Sequence, residues 1–212
     1  MHIVLQHRAA FRQCVTLATI SAVLLAMPAS DAQAQARQAA SPLPTELAAA
    51  RAALEKYQDP VVAVHDGYLS SVGCIEYPKG GGEGLMRYEP GGMGVHFLNL
   101  AFIAPTLDPA KPQVLIYEPV ADKLQLVAAE WFLPVEAAGP QRPKIFGKEL
   151  EGPMEGHKPL MPEGLHHYDL HVWLWKSNPA GVFSATNAAV KCPKSGYSFA
   201  ETAPKMVPHG KH

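Results

Sequence analysis

A dominant charge sign is missing from this chain. Its 18 lysines and arginines nearly balance 19 aspartates and glutamates, and charged residues make up only 17 % of the 212. No basic stripe with interleaved aromatics accompanies them, which argues against nucleic acid as a partner. Cysteine is scarce, at three residues, and no two are close in sequence. That removes the CxxC spacing of typical thiolate zinc sites. Beyond the first 30 residues no apolar run approaches the roughly 20 needed to span a bilayer, so stable membrane insertion is not expected. Several catalytic signatures are also absent. There is no G-x-S-x-G elbow, and the glycines between Gly80 and Gly84 lack the Lys-Ser/Thr end of a phosphate loop. The pair His167 and His171 has no glutamate after the first histidine, so it is not HExxH.

What is present begins with an export signal. Arg8 and Arg12 supply a positive start, Val15 to Met27 an apolar stretch, and Ala32-Gln33-Ala34 or Ala34-Gln35-Ala36 a small-x-small cleavage pattern. Residues 1–36 therefore read as a signal peptide, and 37–44, rich in Gln, Ala, Ser and Pro, as a disordered leader. The mature protein is expected in the periplasm or outside the cell. Residues 45–192 are of single-domain size, and 193–212 read as a flexible polar tail. The two cysteines remaining after cleavage, Cys74 and Cys192, are expected to form a disulfide in an oxidising compartment.

Along the domain, Leu47, Ala50, Leu54 and Tyr57 recur at helical spacing after Thr45. Asp59-Pro60 reads as an N-cap and first helical residue, opening a second helix with Val61, Val64, His65 and Tyr68 on one stripe, ending near Ser70. Strands are expected at Val95–Leu100, Val114–Glu118 and Leu124–Phe132, the last placing Leu124, Leu126, Ala128, Glu130 and Phe132 on one face. A Pro-, Gly- and Met-rich stretch from Leu133 to Gly164 reads as a functional loop. Helices followed by strands predict an α+β fold, N-terminal helices and then a mainly antiparallel sheet in a single domain.

The chemistry concentrates in Leu165–Trp175. As a strand this segment puts His167, Asp169, His171, Trp173 and Trp175 on one face. Inward residues of neighbouring strands approach within about 5 Å, so His96, Glu130 and His167 or His171 can form one cluster. Imidazoles with a carboxylate suit zinc, copper or iron, and a divalent transition metal is the expected cofactor. Its ligands would be His96, Glu130 and His171, with His167 as a further one. His157 is a further candidate, in the long loop, where spacing does not fix its position. Met93, Met154 and Met161 lie near histidines and raise a copper variant with thioether ligands. Gly84 to Asn99 approaches the second cupin motif but misses its spacing at His96 and Asn99.

Two motifs together, Gly92-Met93-Gly94-Val95-His96 and Leu170–Trp175 followed by Asn178-Pro179-Ala180-Gly181, resemble a group of exported bacterial proteins. The resemblance spans about Leu54 to Cys192 and implies a single-domain family without implying a mechanism. Two other readings stay open at this point. One is a metal-free pocket for a small organic molecule lined by Trp131, Trp173 and Trp175. The other is a disulfide-stapled structural module whose histidines only pack.

Overall fold

The computed structural model describes residues 42–82, 86–158, 161–194 and 198–208. The expected signal peptide lies outside them, as does most of the expected leader. Helix α1 (Thr45–Leu54) continues as a tighter turn through Gln58, giving a single helical segment of 14 residues. Its buried positions are Leu47, Ala50, Leu54 and Tyr57, at the helical spacing of the sequence. Pro44 rather than Thr45 occupies the N-cap.

Asp59 then caps a six-residue turn of helix, α2 (Pro60–His65), accepting a hydrogen bond from the Val61 N–H with Pro60 at the first position. The stripe expected here is not a packing face. Val61 and Val64 are 71 % and 50 % exposed and His65 is exposed; within the helix only Ala63 is buried, and Tyr68, the one buried member of the expected stripe, lies beyond its end. Gly67, at φ 93°, turns the chain into a strand at once.

The α+β expectation is overturned, because the molecule is mostly strand: a curled, mixed half-barrel sheet. Its strands are β1 (Leu69–Tyr77), β2 (Gly91–Leu98), β3 (Val114–Val120), β4 (Lys123–Pro134), β7 (Glu151–Met154), β8 (His167–Val172) and β9 (Ser198–Ala200). They lie in the order β7-β8-β4-β3-β2-β1-β9, antiparallel except that β9 runs parallel to β1. A separate hairpin, β5 (Lys144–Ile145) and β6 (Lys148–Glu149), turns on Phe146 and Gly147, both at positive φ as a tight two-residue turn requires. β1, β7 and β9 come from segments read as helix end, loop and tail. Their pairing partners, not their own alternation, make them strands.

One face of the sheet packs against α1. There Leu47, Leu54 and Tyr57 meet Phe97, Leu115, Tyr117, Trp131, Leu170 and Val172. The opposite face carries Ile116, Ala128, Phe132 and Trp173, with Val190 packed on them. The register steps from Ile116↔Ala128 to Tyr117↔Leu126, which bulges β4 at Val127. The bulge sends Leu126 to the helix side and keeps Ala128, Glu130 and Phe132 on the other, splitting the single face expected for β4.

The glycines of Gly91-Gly92 have a specific use. A Cβ on Gly91 would lie 2.6 Å from Asn187 C, and one on Gly92 would lie 2.8 Å from Val190 Cγ1. Their absence lets a strap around 187–190 lie directly on β2, where Gly92 and Asn187 exchange both backbone hydrogen bonds. The buried Glu118 holds the same strap, accepting from the Lys191 N–H at 2.9 Å and from Lys176 Nζ at 2.7 Å. A disulfide joins Cys74 of β1 to Cys192 at the strap's end, across 118 residues of sequence.

Candidate metal centre

The face away from α1 assembles an unusual density of buried polar groups. Glu130 on β4 is the cross-strand partner of His171 on β8. His96 reaches it from β2, since His96 pairs with Ile116 and Ile116 with Ala128, two residues from Glu130. Gly94, at φ 95°, prepares that approach, because a Cβ there would press on Tyr117 O at 2.6 Å. Glu130 Oε2 stands 3.5 Å from His96 Nε2 and 3.5 Å from His171 Nε2.

A second group lies along β8. His167 and Asp169 flank the same face as His171, and His157 joins them from the loop after β7. His167 Nε2 is 3.5 Å from Asp169 Oδ2, and the His157 and His167 ring centres are 5.2 Å apart. Asp169 also faces the first group, with Oδ1 at 3.8 Å from His171 Nδ1. Both sets, His96–Glu130–His171 and His157–His167–Asp169, can each bring three donor atoms within 4.8 Å of one another. All six residues are between 0 and 6 % exposed.

Hydrogen bonding does not satisfy this burial. Among the described residues, ten buried side-chain N or O atoms lack a partner, and nine of them belong to these six residues, Glu151 and Glu201. Each such atom costs about 1–3 kcal/mol, and native domains carry few of them. Concentrating them at one place is the pattern of a site built for something the protein itself does not supply.

Electrostatics agrees. Burial, reinforced by His171 and His157, brings His96 down to about 3, and burial with His167 brings His157 down to about 3. His171 is lowered by burial. These imidazoles are therefore held neutral, the form that ligates metal. Burial, then Asp169, pushes Glu130 well above its ordinary range and Glu151 up to about 8. Burial opposes the Asp169 carboxylate too, but its contact with His167 holds it below its ordinary value.

Of the expected ligands, His96, Glu130 and His171 stand together, whereas His167 belongs to the second group. His166 is half-buried and in neither. The three tryptophans share no pocket. Trp131 lies under α1, Trp173 on the opposite face, and Trp175 at the margin of the helix-side core. Their indole N–H groups donate to Asp108 O, Ser184 O and Glu55 Oε2, so the aromatic-pocket reading fails on packing. Of the three methionines, Met154 pairs across the strands with His167 but its Sδ accepts the Tyr88 hydroxyl at 3.7 Å, Met93 sits in an apolar cluster with Met86, and Met161 packs on the cluster of Phe132 and Trp173.

Asp169 was not among the expected ligands, although its place in the strand, two residues from a histidine on either side, was the signal for it. Tyr77, Glu151 and Glu201 had no local signal. Glu201 follows β9, inside the region expected to be a free tail. Pairing with β1 fixes it there, and Tyr77 Oη donates to its Oε2 at 2.8 Å. No known protein family, curated protein or solved structure matches the chain.

Proposed function

We propose that this is an exported protein that binds a divalent transition metal through His96 Nε2, Glu130 and His171 Nε2. The observation that carries this reading is the pair of 3.5 Å separations from Glu130 Oε2 to the two ring nitrogens. They are too long for good hydrogen bonds. Ligands about 2.1 Å from a tetrahedral ion lie roughly 3.4 Å from each other, which these distances match. Two neutral imidazoles and one carboxylate form a borderline nitrogen and oxygen set suited to zinc, iron or copper in the divalent state. With no thioether in the set, a Cu(I) site loses its support. Three protein donors leave a fourth position for water, an arrangement shared by reversible binding and catalysis.

The Cys74–Cys192 disulfide supports an oxidising compartment, and with it export. No helix among the described residues is long and apolar enough to cross a membrane.

Thermal unfolding of the metal-stripped mature protein tests the reading. A ligand at 100 times its Kd adds about 2.7 kcal/mol, or roughly 5–10 °C in a domain of this size. That rise is expected with at least one of zinc, copper and iron, and is expected to be smaller in a folded H96Q/H171Q variant. An unchanged Tm with all three metals would overturn it.

A further inference from the structure

We propose that the protein holds two transition-metal ions, the second among His157, His167 and Asp169. The proposal rests on the reading that the buried histidine–carboxylate groups take metal, but it concerns a separate set of residues. The hydrogen bonds around the second group decide which ring nitrogens are bare. Tyr77 gives its single hydroxyl proton to Glu201 Oε2, so its oxygen accepts the Nδ1–H of His157 at 2.9 Å. That leaves His157 Nε2 with a lone pair and no partner. His167 Nδ1 lies 3.3 Å from the Leu165 carbonyl, which can only accept. With its proton on Nδ1 toward that carbonyl, His167 leaves Nε2 buried and without a hydrogen-bond partner. It points at the Asp169 carboxylate from 3.5 Å.

These unpartnered ring nitrogens belong to a group that can bring three donor atoms within 4.8 Å of one another, a spacing that one cation would fill. The supporting partners are in place: each histidine is held through Nδ1 by an oxygen, as metal-ligating histidines are. The backbone just before His157 is held as well. Glu155 N donates to Lys205 O, Gly156 N to Glu163 O, and a Cβ on Gly156 would collide with Pro162 O.

A cavity adjoins the His157 side of this group. It has a volume of about 230 Å³ and is lined by His157 and Glu201 together with Glu155, Glu163, Lys158 and Lys205. Asp169 joins the two positions. One of its oxygens would ligate the second ion, and Oδ1 faces His171 Nδ1, where it would orient a ligand of the first.

Equilibrium dialysis of the metal-stripped, disulfide-intact mature chain against Co(II) counts the ions. Two per chain are expected in the wild type, and one each in H157Q and H96Q. In D169N one ion is expected, bound about 10–100-fold more weakly because His171 has lost its orienting partner. Glutamine at 157 can still donate to Tyr77, and near-UV circular dichroism checks that each variant is folded. One ion in the wild type and in H157Q, with none in H96Q, overturns the second site and leaves the first standing. In that case a proton shared by His167 and Asp169 fills the gap. One ion lost in H157Q and retained in H96Q overturns the first site instead. No bound ion in the wild type overturns both, whatever the variants do.

Discussion

Replacing Glu130 by Gln is expected to weaken metal binding at the first site by about 100-fold or more, since loss of an outer-shell partner alone costs 10–100-fold. The same change should make the metal-free protein more stable. A residue serving only the fold would not separate the two effects this way. Glu130 is 4 % exposed, and its Oε2 has no hydrogen-bond partner. Burial, then Asp169, raises its carboxyl well above the ordinary range.

The sign of the pH dependence follows. A group whose folded pKa is raised binds more protons in the folded than in the unfolded state, so its contribution to stability is lost as pH rises through the folded value. At pH 8 the metal-free wild type must either keep a proton on Glu130 or bury a bare carboxylate. The glutamine variant does neither, and should be more stable by about 1–3 kcal/mol. Glu151 and Glu201, raised to about 8 and about 7, act in the same direction but are present in both proteins. The advantage of E130Q should thus shrink from pH 8 to pH 5.5. Urea unfolding of both proteins at the two pH values, after chelation, measures it. A variant less stable than the wild type at pH 8 would mean that Glu130 is a satisfied core residue.

Breaking the disulfide should have the largest effect on stability alone. A bridge spanning 118 residues is worth about 4–5 kcal/mol in the chain-entropy picture. At 2–4 °C per kcal/mol for a domain of this size, the C74A/C192A variant should melt roughly 10–20 °C lower. Local consequences follow from where the bridge sits. Cys74 is also the residue of β1 that pairs with Ser198 of β9. Loosening that edge frees Glu201 from Tyr77, and with it the hydrogen bond that fixes the His157 ring. The second ion should therefore be lost before the first when the bridge is removed. Scanning calorimetry with parallel metal analysis reads both. A melting point within 2–3 °C of the wild type would show that the 187–190 strap and β9 hold without the bridge.

How much of this was legible in the sequence depends on how far apart the partners are. His167, Asp169 and His171 share a face because a strand alternates, and Glu130 faces them from a strand whose own pattern is plain. The bulge at Val127 passed unseen, yet it falls before Glu130 and so did not disturb that residue's side. Tyr77, His157 and Glu201 could not be joined by any local pattern: the Tyr77 contacts span 80 and 124 residues. The α+β expectation failed for a related reason. Leu69–Tyr77 and Ser198–Ala200 carry weak strand patterns and become strands by pairing with each other and with β2. The exposed Val61 and Val64, spaced as on a helix stripe, suggested a packing face that the turn at Gly67 never lets form. The tryptophans misled because three large aromatics near histidines resemble a pocket lining, whereas each is spent on a different part of the core.

Elemental analysis of the untagged protein, expressed from its full sequence and purified without chelator, reads the presence of the metal itself. It should be run beside an H96A/H171A variant shown to be folded. Near-stoichiometric zinc, copper or iron in the wild type, with loss of at least one equivalent in the variant, is the expected result. No metal in either protein, even after reconstitution with each of the three ions, would mean that these buried histidines and carboxylates hold none.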